Sequence, residues 1–196
     1  MEYFDRLWSE LGETAPEHRE RRRRFLLSRV EQGDRVLDLG CGDGWFCAAL
    51  AEAGVVNVLG VDVAAEAVRR ARARHPQLRF EVCGETALPL ASASVDAIWC
   101  SEVIEHVRDG LGLLGECARV LEPRGRLLVT TPDHDWRRRL WLGVSRRAFE
   151  RHFEPRADHL RFFTRGSLRA LLDAAGFEDL DARARGGLLL VSARAG

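Results

Sequence analysis

The chain of 196 residues contains no lysine, so all 30 of its basic residues are arginine. They are balanced by 30 Asp and Glu, and the resulting formal net charge of +0 argues against nucleic-acid binding through overall charge. No apolar run approaches the roughly 20 residues of a membrane helix, and the N-terminus lacks the apolar core of a signal peptide. We therefore expect a cytoplasmic protein with no membrane partner.

Cysteine is present, but in no metal-binding or disulfide pattern. The five cysteines form no Cys-x-x-Cys pair, and they lie mostly in apolar stretches, at positions 41, 47, 83, 100 and 117. This scatter predicts buried thiols in a reducing compartment and excludes a zinc ribbon or a disulfide framework as the basis of the fold.

Strand and helix patterns alternate from Arg35 onward. The predicted strands cover 35–39, 57–62, 78–83, 95–101 and 126–131, and the predicted helices cover 45–53, 64–74, 111–121 and 165–175. Two last strands, 178–185 and 188–193, flank Gly186-Gly187, which is a hairpin signal. The expected fold class is α/β, with a doubly wound, Rossmann-like seven-stranded sheet, mostly parallel and with an antiparallel last strand.

We expect a single domain over 1–196, with an N-terminal helical cap at 1–31. One face of this cap has apolar residues at helical spacing, namely Phe4, Leu7, Trp8 and Leu11. The charged run from Glu20 to Arg24 is interpreted as the solvated part of a second helix, with a phosphate-binding patch as the alternative.

The segment 133–164 is longer than an ordinary connection in an α/β protein, which predicts a substrate lid. It contains six Trp and Phe residues, and its eight arginines exceed its five acids, giving a local charge of +3. Aromatics among arginines suit an anionic or aromatic substrate, or the end of an RNA. The alternative is an amphipathic helix from Trp136 to Phe149 whose aromatic residues pack on the core.

The stretch 36–44, Val-Leu-Asp-Leu-Gly-Cys-Gly-Asp-Gly, carries the strongest functional signal. It predicts a buried strand, a glycine turn that lets a ligand approach the backbone, and then a helix. Asp62 ends the next strand, where a carboxylate can hold ribose hydroxyls. The Gly-x-Gly-x-Gly spacing and Asp38 differ from the Gly-x-Gly-x-x-Gly of dinucleotide sites, so an NAD-binding protein is disfavoured. A carboxylate beside the turn suits a cationic amino-acid group.

Six segments in chain order resemble motifs of the class I S-adenosylmethionine (SAM) dependent methyltransferases, including the type-11 and type-23 and the quinone-pathway kinds. They are 36–44, 58–62, 88–96, 102–107, 121–127 and 174–177. The resemblance covers nearly the whole chain and implies a transferase that uses SAM as its cofactor.

The resemblance also implies which residues contact SAM. The methionine end would face Asp38 and the backbone of the turn, formed by Gly40, Cys41 and Gly42. Asp62 would accept from both ribose hydroxyls, and Val63 would pack on the adenine.

Two further cofactor positions follow from the same resemblance. The family often has an acidic residue after the third strand, near the adenine amine. Here Gly84 stands in that place and Glu85 follows, so a backbone amide is the alternative contact. Ser101 ends the fourth strand and would line the methyl-donor pocket.

Glu102, Glu105 and His106 follow the fourth strand at i, i+3, i+4 spacing and would share a face of a helical turn. His106 and Glu102 are the catalytic candidates. With His159, which follows Asp158, these residues form a set suited to a divalent cation. The set resembles the metal site of small-RNA 3′-terminal 2′-O-methyltransferases, and some quinone-pathway O-methyltransferases are similar. The metal-free interpretation, in which His106 orients a loop or acts as a base, is favoured.

The leading hypothesis is an enzyme that transfers a methyl group from SAM to a small-molecule acceptor, at an oxygen in preference to a nitrogen or carbon. The lid would supply specificity for an anionic or aromatic acceptor. The alternatives are a metal-dependent RNA 3′-end 2′-O-methyltransferase and a non-catalytic SAM-binding module.

Overall fold

The computed structural model describes residues 2–10, 16–152 and 159–196. Its elements in chain order are α1 (Glu2–Glu10), α2 (Arg19–Leu27), β1 (Arg35–Leu39), α3 (Trp45–Glu52), β2 (Asn57–Asp62), α4 (Ala65–Arg74), β3 (Arg79–Val82), β4 (Val95–Ser101), α5 (Gly110–Val120), β5 (Leu121–Pro132), α6 (Trp136–Val144), α7 (Arg146–His152), α8 (Arg165–Ala174), β6 (Phe177–Arg185) and β7 (Leu188–Ala195). None of the described helices has the length and apolar character needed to cross a bilayer.

The strands form one seven-stranded sheet in the order β3-β2-β1-β4-β5-β7-β6. Strands β1 to β5 pair in parallel, while β7 pairs antiparallel with both β5 and β6. The predicted α/β class and the single antiparallel last strand are therefore confirmed. The strand order reverses between β1 and β4, and this is the point where ligands bind in open α/β sheets, beyond the carboxyl ends of the strands.

Alternate residues of each central strand face two separate core clusters. In β1, Leu37 and Leu39 belong to the cluster that includes α5 and α8, whereas Val36 belongs to the cluster with α2, α3 and α4. This alternation follows from the two-residue period of a strand, and burial on both faces is typical of a parallel sheet. Asp38 lies two residues after Val36 in β1, so the two side chains lie on the same face of the sheet.

Side-chain caps set the start of three helices. Asp109 accepts from the Gly112 N–H at the start of α5, and Asp135 accepts from the Arg138 N–H at the start of α6. At α8, Thr164 and Ser167 form a reciprocal capping box. Such caps satisfy amide groups that the first helical turn leaves unpaired.

Three expectations need correction. The single helix expected from Trp136 to Phe149 is divided at Ser145, and Trp136, Trp141 and Phe149 are exposed, so packing of these aromatics on the core is wrong. The solvated interpretation of the arginine run is wrong for Arg22, which is buried. The fifth strand begins at Leu121, several residues before its expected start.

The prediction of buried thiols is confirmed, since all five cysteines are free and buried. Some other expectations fall on residues outside the described ranges. These are Leu11 of the apolar cap face, Phe153 of the lid and Asp158 beside the candidate metal ligand His159.

Candidate cofactor and active site

The glycine turn lies at the carboxyl end of β1. The Gly40 and Cys41 N–H groups donate to the Val61 carbonyl, at 2.8 and 2.9 Å, which ties the turn to the end of β2. Gly40 and Gly42 have φ values of +73° and +54°, a region that residues with a β-carbon rarely adopt. A Cβ at Gly40 would also collide with the Val103 side chain. The turn is therefore possible only with glycine at these positions.

Asp62 closes β2 directly beside this turn. Its Oδ2 accepts from the Gly42 N–H and its Oδ1 accepts from the Ala64 N–H, each at 2.9 Å. Burial raises the pKa of this carboxyl, whereas the backbone donors favour its ionised form. Each carboxylate oxygen can accept more than one hydrogen bond, so acceptor capacity remains for a ligand hydroxyl. Val63 follows and packs at the edge of the core.

Asp38 is a buried carboxyl inside β1, on the face covered by α3. The Cys47 thiol donates to its Oδ2 at 3.1 Å. Burial raises the pKa of Asp38 to about 7, with the thiol hydrogen bond and the charge of Arg22 acting in the opposite direction. A second cationic group close to Asp38 would stabilise its ionised form.

Arg22 of α2 reaches the carboxyl end of β4, and sequence reasoning missed it. Its Nε donates to Ser101 Oγ at 2.8 Å, and its guanidinium lies 4.8 Å from the centre of the Phe46 ring. Burial lowers the pKa of Arg22, while the nearby carboxylates of Glu102 and Asp38 raise it. The signal that could have identified it is the i, i+3, i+4 spacing of Arg22 with Phe25 and Leu26, which are also buried.

A chain of hydroxyls connects Arg22 to the acidic segment after β4. Ser101 Oγ lies 2.6 Å from Thr130 Oγ1, and Thr130 Oγ1 also donates to Glu102 Oε1 at 2.9 Å. Glu102 itself has a φ of +56°, a left-handed conformation that costs energy for a residue other than glycine and that concentrates at functional sites. Because of it, the predicted helical face shared with Glu105 and His106 does not form, and a single turn at 103–106 stands in its place.

Glu105, His106 and His159 nevertheless come together. One ligand atom from each lies within 4.8 Å of the others, and the two imidazole centroids are 4.8 Å apart. The segment with His159 is held there because the Leu160 and Arg161 N–H groups donate to the Glu105 carbonyl, at 2.8 and 3.1 Å. The fourth candidate, Glu102, is not part of this group among the described residues.

The Glu105 carboxyl is almost fully buried. Thr131 Oγ1 donates to its Oε2 at 3.0 Å, and its Oε1 has no hydrogen-bond partner within the part of the chain that the structure describes. Burial and the neighbouring Glu102 raise the pKa of Glu105. A buried carboxylate oxygen without a partner is costly, and a cation or a donor would relieve that cost.

Gly84 and Glu85 follow β3, as expected, but both form hydrogen bonds with other residues of the chain. The Gly84 N–H donates to the Ala87 carbonyl at 3.3 Å. Glu85 Oε1 accepts from the Arg108 N–H, and its Oε2 lies 3.6 Å from Arg108 Nε. The carboxylate of Glu85 is thus paired with Arg108.

Helix α1 packs over this edge of the sheet. Asp5 Oδ1 accepts from the Glu66 N–H at 3.0 Å, which caps the start of α4 from another helix. The Phe4 ring lies 6.3 Å from the His106 ring, and the Trp8 ring lies so close to Gly42 that a Cβ there would be 2.9 Å from Trp8 Cη2. The first helix therefore borders both the glycine turn and the imidazole pair.

The residues at this edge fit SAM. The glycine turn lies next to a buried acceptor at Asp62, and an acidic and a basic side chain, Asp38 and Arg22, lie at the same edge. These supply partners for a ribose, an ammonium and a carboxylate, the three polar parts of such a ligand. The carboxyl ends of β1, β2 and β4 bring them together.

Comparison with known proteins points to methyltransferases. A family model described as a methyltransferase domain matches residues 11–182. The ubiquinone biosynthesis O-methyltransferase of Idiomarina loihiensis is 31% identical over 186 residues, which cover 89% of this chain and 76% of that protein. A probable S-adenosylmethionine-dependent methyltransferase of Mycolicibacterium smegmatis is 35% identical over 146 residues, covering 74% of this chain and 52%, about half, of that protein.

A solved structure shows the same fold. The SAM-dependent methyltransferase of Thermotoga maritima, described as a possible histamine N-methyltransferase, superposes with a TM-score of 0.73 at 20% identity, over 100% of this chain and 99% of the other. At this identity the likeness supports the fold alone. The family model and the sequence relatives establish the rest: the chain belongs to the family of SAM-dependent methyltransferases, enzymes that take their methyl group from SAM.

Proposed function

We propose that this chain transfers a methyl group from SAM to an oxygen atom of a small-molecule acceptor. The observation that carries the proposal is the convergence of Asp38, Asp62 and Ser101 at the ends of three adjacent strands, within a chain of this family. The choice of oxygen is supported by the name of the Idiomarina relative, an O-methyltransferase. SAM supplies an electrophilic methyl group, so the protein has mainly to align the acceptor and to remove its proton.

In this proposal the cofactor lies along the edge formed by the glycine turn. The backbone of Gly40, Cys41 and Gly42 and the carboxyl of Asp38 hold its amino-acid end, and Arg22 binds the carboxylate of that end. Asp62 accepts from the ribose, and Val63 packs on the base. The Gly84 and Glu85 backbone borders the base, since the Glu85 side chain is paired with Arg108.

The acceptor side consists of Glu102 and His106, next to Ser101, which lines the methyl-donor pocket. His106 lies at the surface of the site beside His159 and Phe4 and is the proposed general base. Glu102 is anchored by Thr130 in its left-handed conformation, so it is proposed to orient the acceptor. The cap 1–31 and the lid 133–164 of this one domain would enclose the acceptor and exclude water.

The test measures SAM binding by calorimetry and then S-adenosylhomocysteine formation on a panel of phenols, catechols and hydroxy acids. Asp62→Ala is compared with Asp179→Ala, an exposed aspartate on β6. We expect SAM binding and turnover in the wild type and the control, and binding weakened about 30-fold or more in Asp62→Ala. A wild-type protein that does not bind SAM would refute the proposal. Binding without turnover on any substrate would instead indicate a non-catalytic SAM-binding module.

A second candidate is a metal-dependent enzyme acting on the 3′-terminal ribose of RNA. The observation that favours it is the meeting of Glu105, His106 and His159, with one buried Glu105 oxygen lacking a partner among the described residues. Nitrogen from imidazole and oxygen from carboxylate form a common ligand set for divalent transition metals. A metal there would polarise a hydroxyl and lower its pKa.

Removal of metal distinguishes the two candidates. We would assay the EDTA-treated enzyme with and without added Mn²⁺ or Mg²⁺, together with Glu105→Gln. Activity that survives EDTA rejects the metal-dependent candidate. Restoration by metal in the wild type but not in Glu105→Gln supports it. An RNA oligonucleotide with a free terminal 2′-hydroxyl, compared with one blocked at that position, then tests the acceptor.

A further inference from the structure

The outward face of α6 is apolar, which is the reverse of what a helix on a protein surface normally shows. Trp136, Leu140 and Val144 are spaced four residues apart and lie on one face, and they are 61%, 58% and 75% exposed. Trp141, beside them, is 58% exposed. On the opposite face of α6, the Leu142 side chain is buried against the protein.

The conformation of this surface is well defined locally. Asp135 caps α6, and Ser145 Oγ accepts from the Ala148 N–H at 3.3 Å at the start of α7. Leu142 and Ala148 are buried, so each helix has one side attached to the protein. The exposed side chains therefore cannot turn inward without losing these contacts.

The sequence that forms the apolar face is also rich in positive charge. The stretch 135–150 contains five arginines, at 137, 138, 139, 146 and 147, against Asp135 and Glu150. Among the described side chains, Arg137 stacks on Trp136, with its guanidinium 5.4 Å from the ring centre, and Arg146 pairs with Glu150. Arg147 is exposed on the same short helix. Tryptophan, leucine and valine flanked by arginine are typical of helices that lie in the headgroup region of a membrane.

We propose that α6 and α7 form a docking surface for a bilayer that contains anionic phospholipid. The apolar side chains enter the boundary between headgroups and acyl chains, and the arginines contact lipid phosphates. The charge complementarity selects this partner over a second copy of the chain, because a two-fold contact would bring the two arginine clusters together. The inference departs from the expectation of no membrane partner, and it concerns contact with one leaflet only.

This surface is directly connected to the candidate active site. Helix α6 begins two residues after His134, whose N–H donates to the Phe163 carbonyl at 2.9 Å. The segment 159–163 in turn includes His159, and its Leu160 and Arg161 N–H groups donate hydrogen bonds to the Glu105 carbonyl. Docking would thus occur next to the acceptor side, although the proposal does not depend on methyl transfer.

The test is co-sedimentation of the full chain with vesicles of phosphatidylcholine, with and without phosphatidylglycerol. We expect binding to the anionic vesicles, weakening as NaCl is raised, and little binding to phosphatidylcholine alone. Replacing two arginines, Arg137→Gln with Arg147→Gln, should weaken partitioning about 30-fold at low salt. The matched control pair, Arg79→Gln with Arg169→Gln, lies elsewhere on the surface and should leave partitioning unchanged.

The apolar contribution is tested separately. Trp136→Ser with Trp141→Ser should reduce partitioning roughly tenfold or more, whereas Val56→Ser with Leu111→Ser, two exposed apolar residues elsewhere, should not. Brominated acyl chains should quench wild-type tryptophan emission and spare the double serine variant. Circular dichroism confirms folding of each variant.

Several results would overturn the proposal. These are wild-type binding that is absent from anionic vesicles, equal on both vesicle types, or retained by the double serine variant. Binding of single-stranded RNA in place of vesicles, or a dimer that dissociates on Trp141→Ser, would assign the surface to those partners instead.

Discussion

The affinity for SAM is expected to depend on pH through Asp38. Burial raises the pKa of this carboxyl to about 7, so it is mostly neutral in the free protein at about pH 6. The ammonium group of a bound ligand favours the carboxylate and lowers that pKa, so binding expels a proton from Asp38. Affinity must then rise with pH until Asp38 is ionised in the free protein as well.

The size of this effect follows from the pKa. With a value of about 7 in the free protein, about one tenth of the molecules have ionised Asp38 at about pH 6 and about nine tenths at about pH 8. The association constant therefore increases about tenfold between these two conditions, equivalent to about 1.4 kcal/mol. Above about pH 8 the increase ends, because Asp38 is then ionised in the free protein and the ligand's α-amino group begins to lose its own proton.

Isothermal titration calorimetry tests both the affinity and the proton. At about pH 6, where the ligand's amino group is already protonated, the apparent binding enthalpy should differ between buffers of different ionisation enthalpy, with the sign of proton release. Asp38→Asn should bind more weakly and should lose the pH dependence. Asp179→Asn, an exposed control, should retain it. A pH profile that is unchanged in Asp38→Asn, or proton uptake on binding at about pH 6, would refute the reasoning.

The remaining predictions concern four other positions. Asp62→Ala should weaken SAM binding about 30-fold or more, since it removes a ligand acceptor and the acceptor of the Gly42 N–H, and dialysis measures this. Gly42→Val should abolish binding and lower the melting temperature, because a branched residue is strained at a φ of +54°; an unchanged melting curve would contradict this. Asp5→Ala should speed both association and dissociation of SAM about fivefold, since it frees α1 from α4, and stopped-flow fluorescence would detect it. His106→Ala should spare SAM affinity but reduce turnover roughly 100-fold, and equal turnover would assign it to structure.

The sheet could be predicted from the sequence because its signals are local. The bounds of β1 and β2 agree with the predicted ranges, since each is a short apolar run that ends at a glycine or an aspartate. The double glycine at 186–187 specifies the hairpin that reverses β7. Asp38 and the glycine turn could be placed together for the same reason, because they are adjacent in the sequence.

Other parts depend on contacts between distant segments. Arg22 lies in a run of charged residues, and only its hydrogen bond to Ser101, 79 residues away, makes it a buried group. The left-handed backbone of Glu102 is likewise held by Thr130, on the next strand. The aromatic residues of α6 could not be assigned to core or surface, because both interpretations require the same helical spacing.

The two ends of the described chain lie on opposite sides of the sheet, one at the carboxyl ends and the other at the amino ends of the parallel strands. Helix α1 starts at Glu2, two residues before Phe4, whose ring contacts the His106 ring, so a polypeptide joined ahead of it would emerge beside the proposed acceptor side. Strand β7 runs antiparallel and its Arg194 pairs with Arg126 near the start of the paired part of β5, which is the far edge. An affinity tag attached after Gly196 would therefore leave cofactor exchange undisturbed, whereas the same tag ahead of Glu2 would slow it.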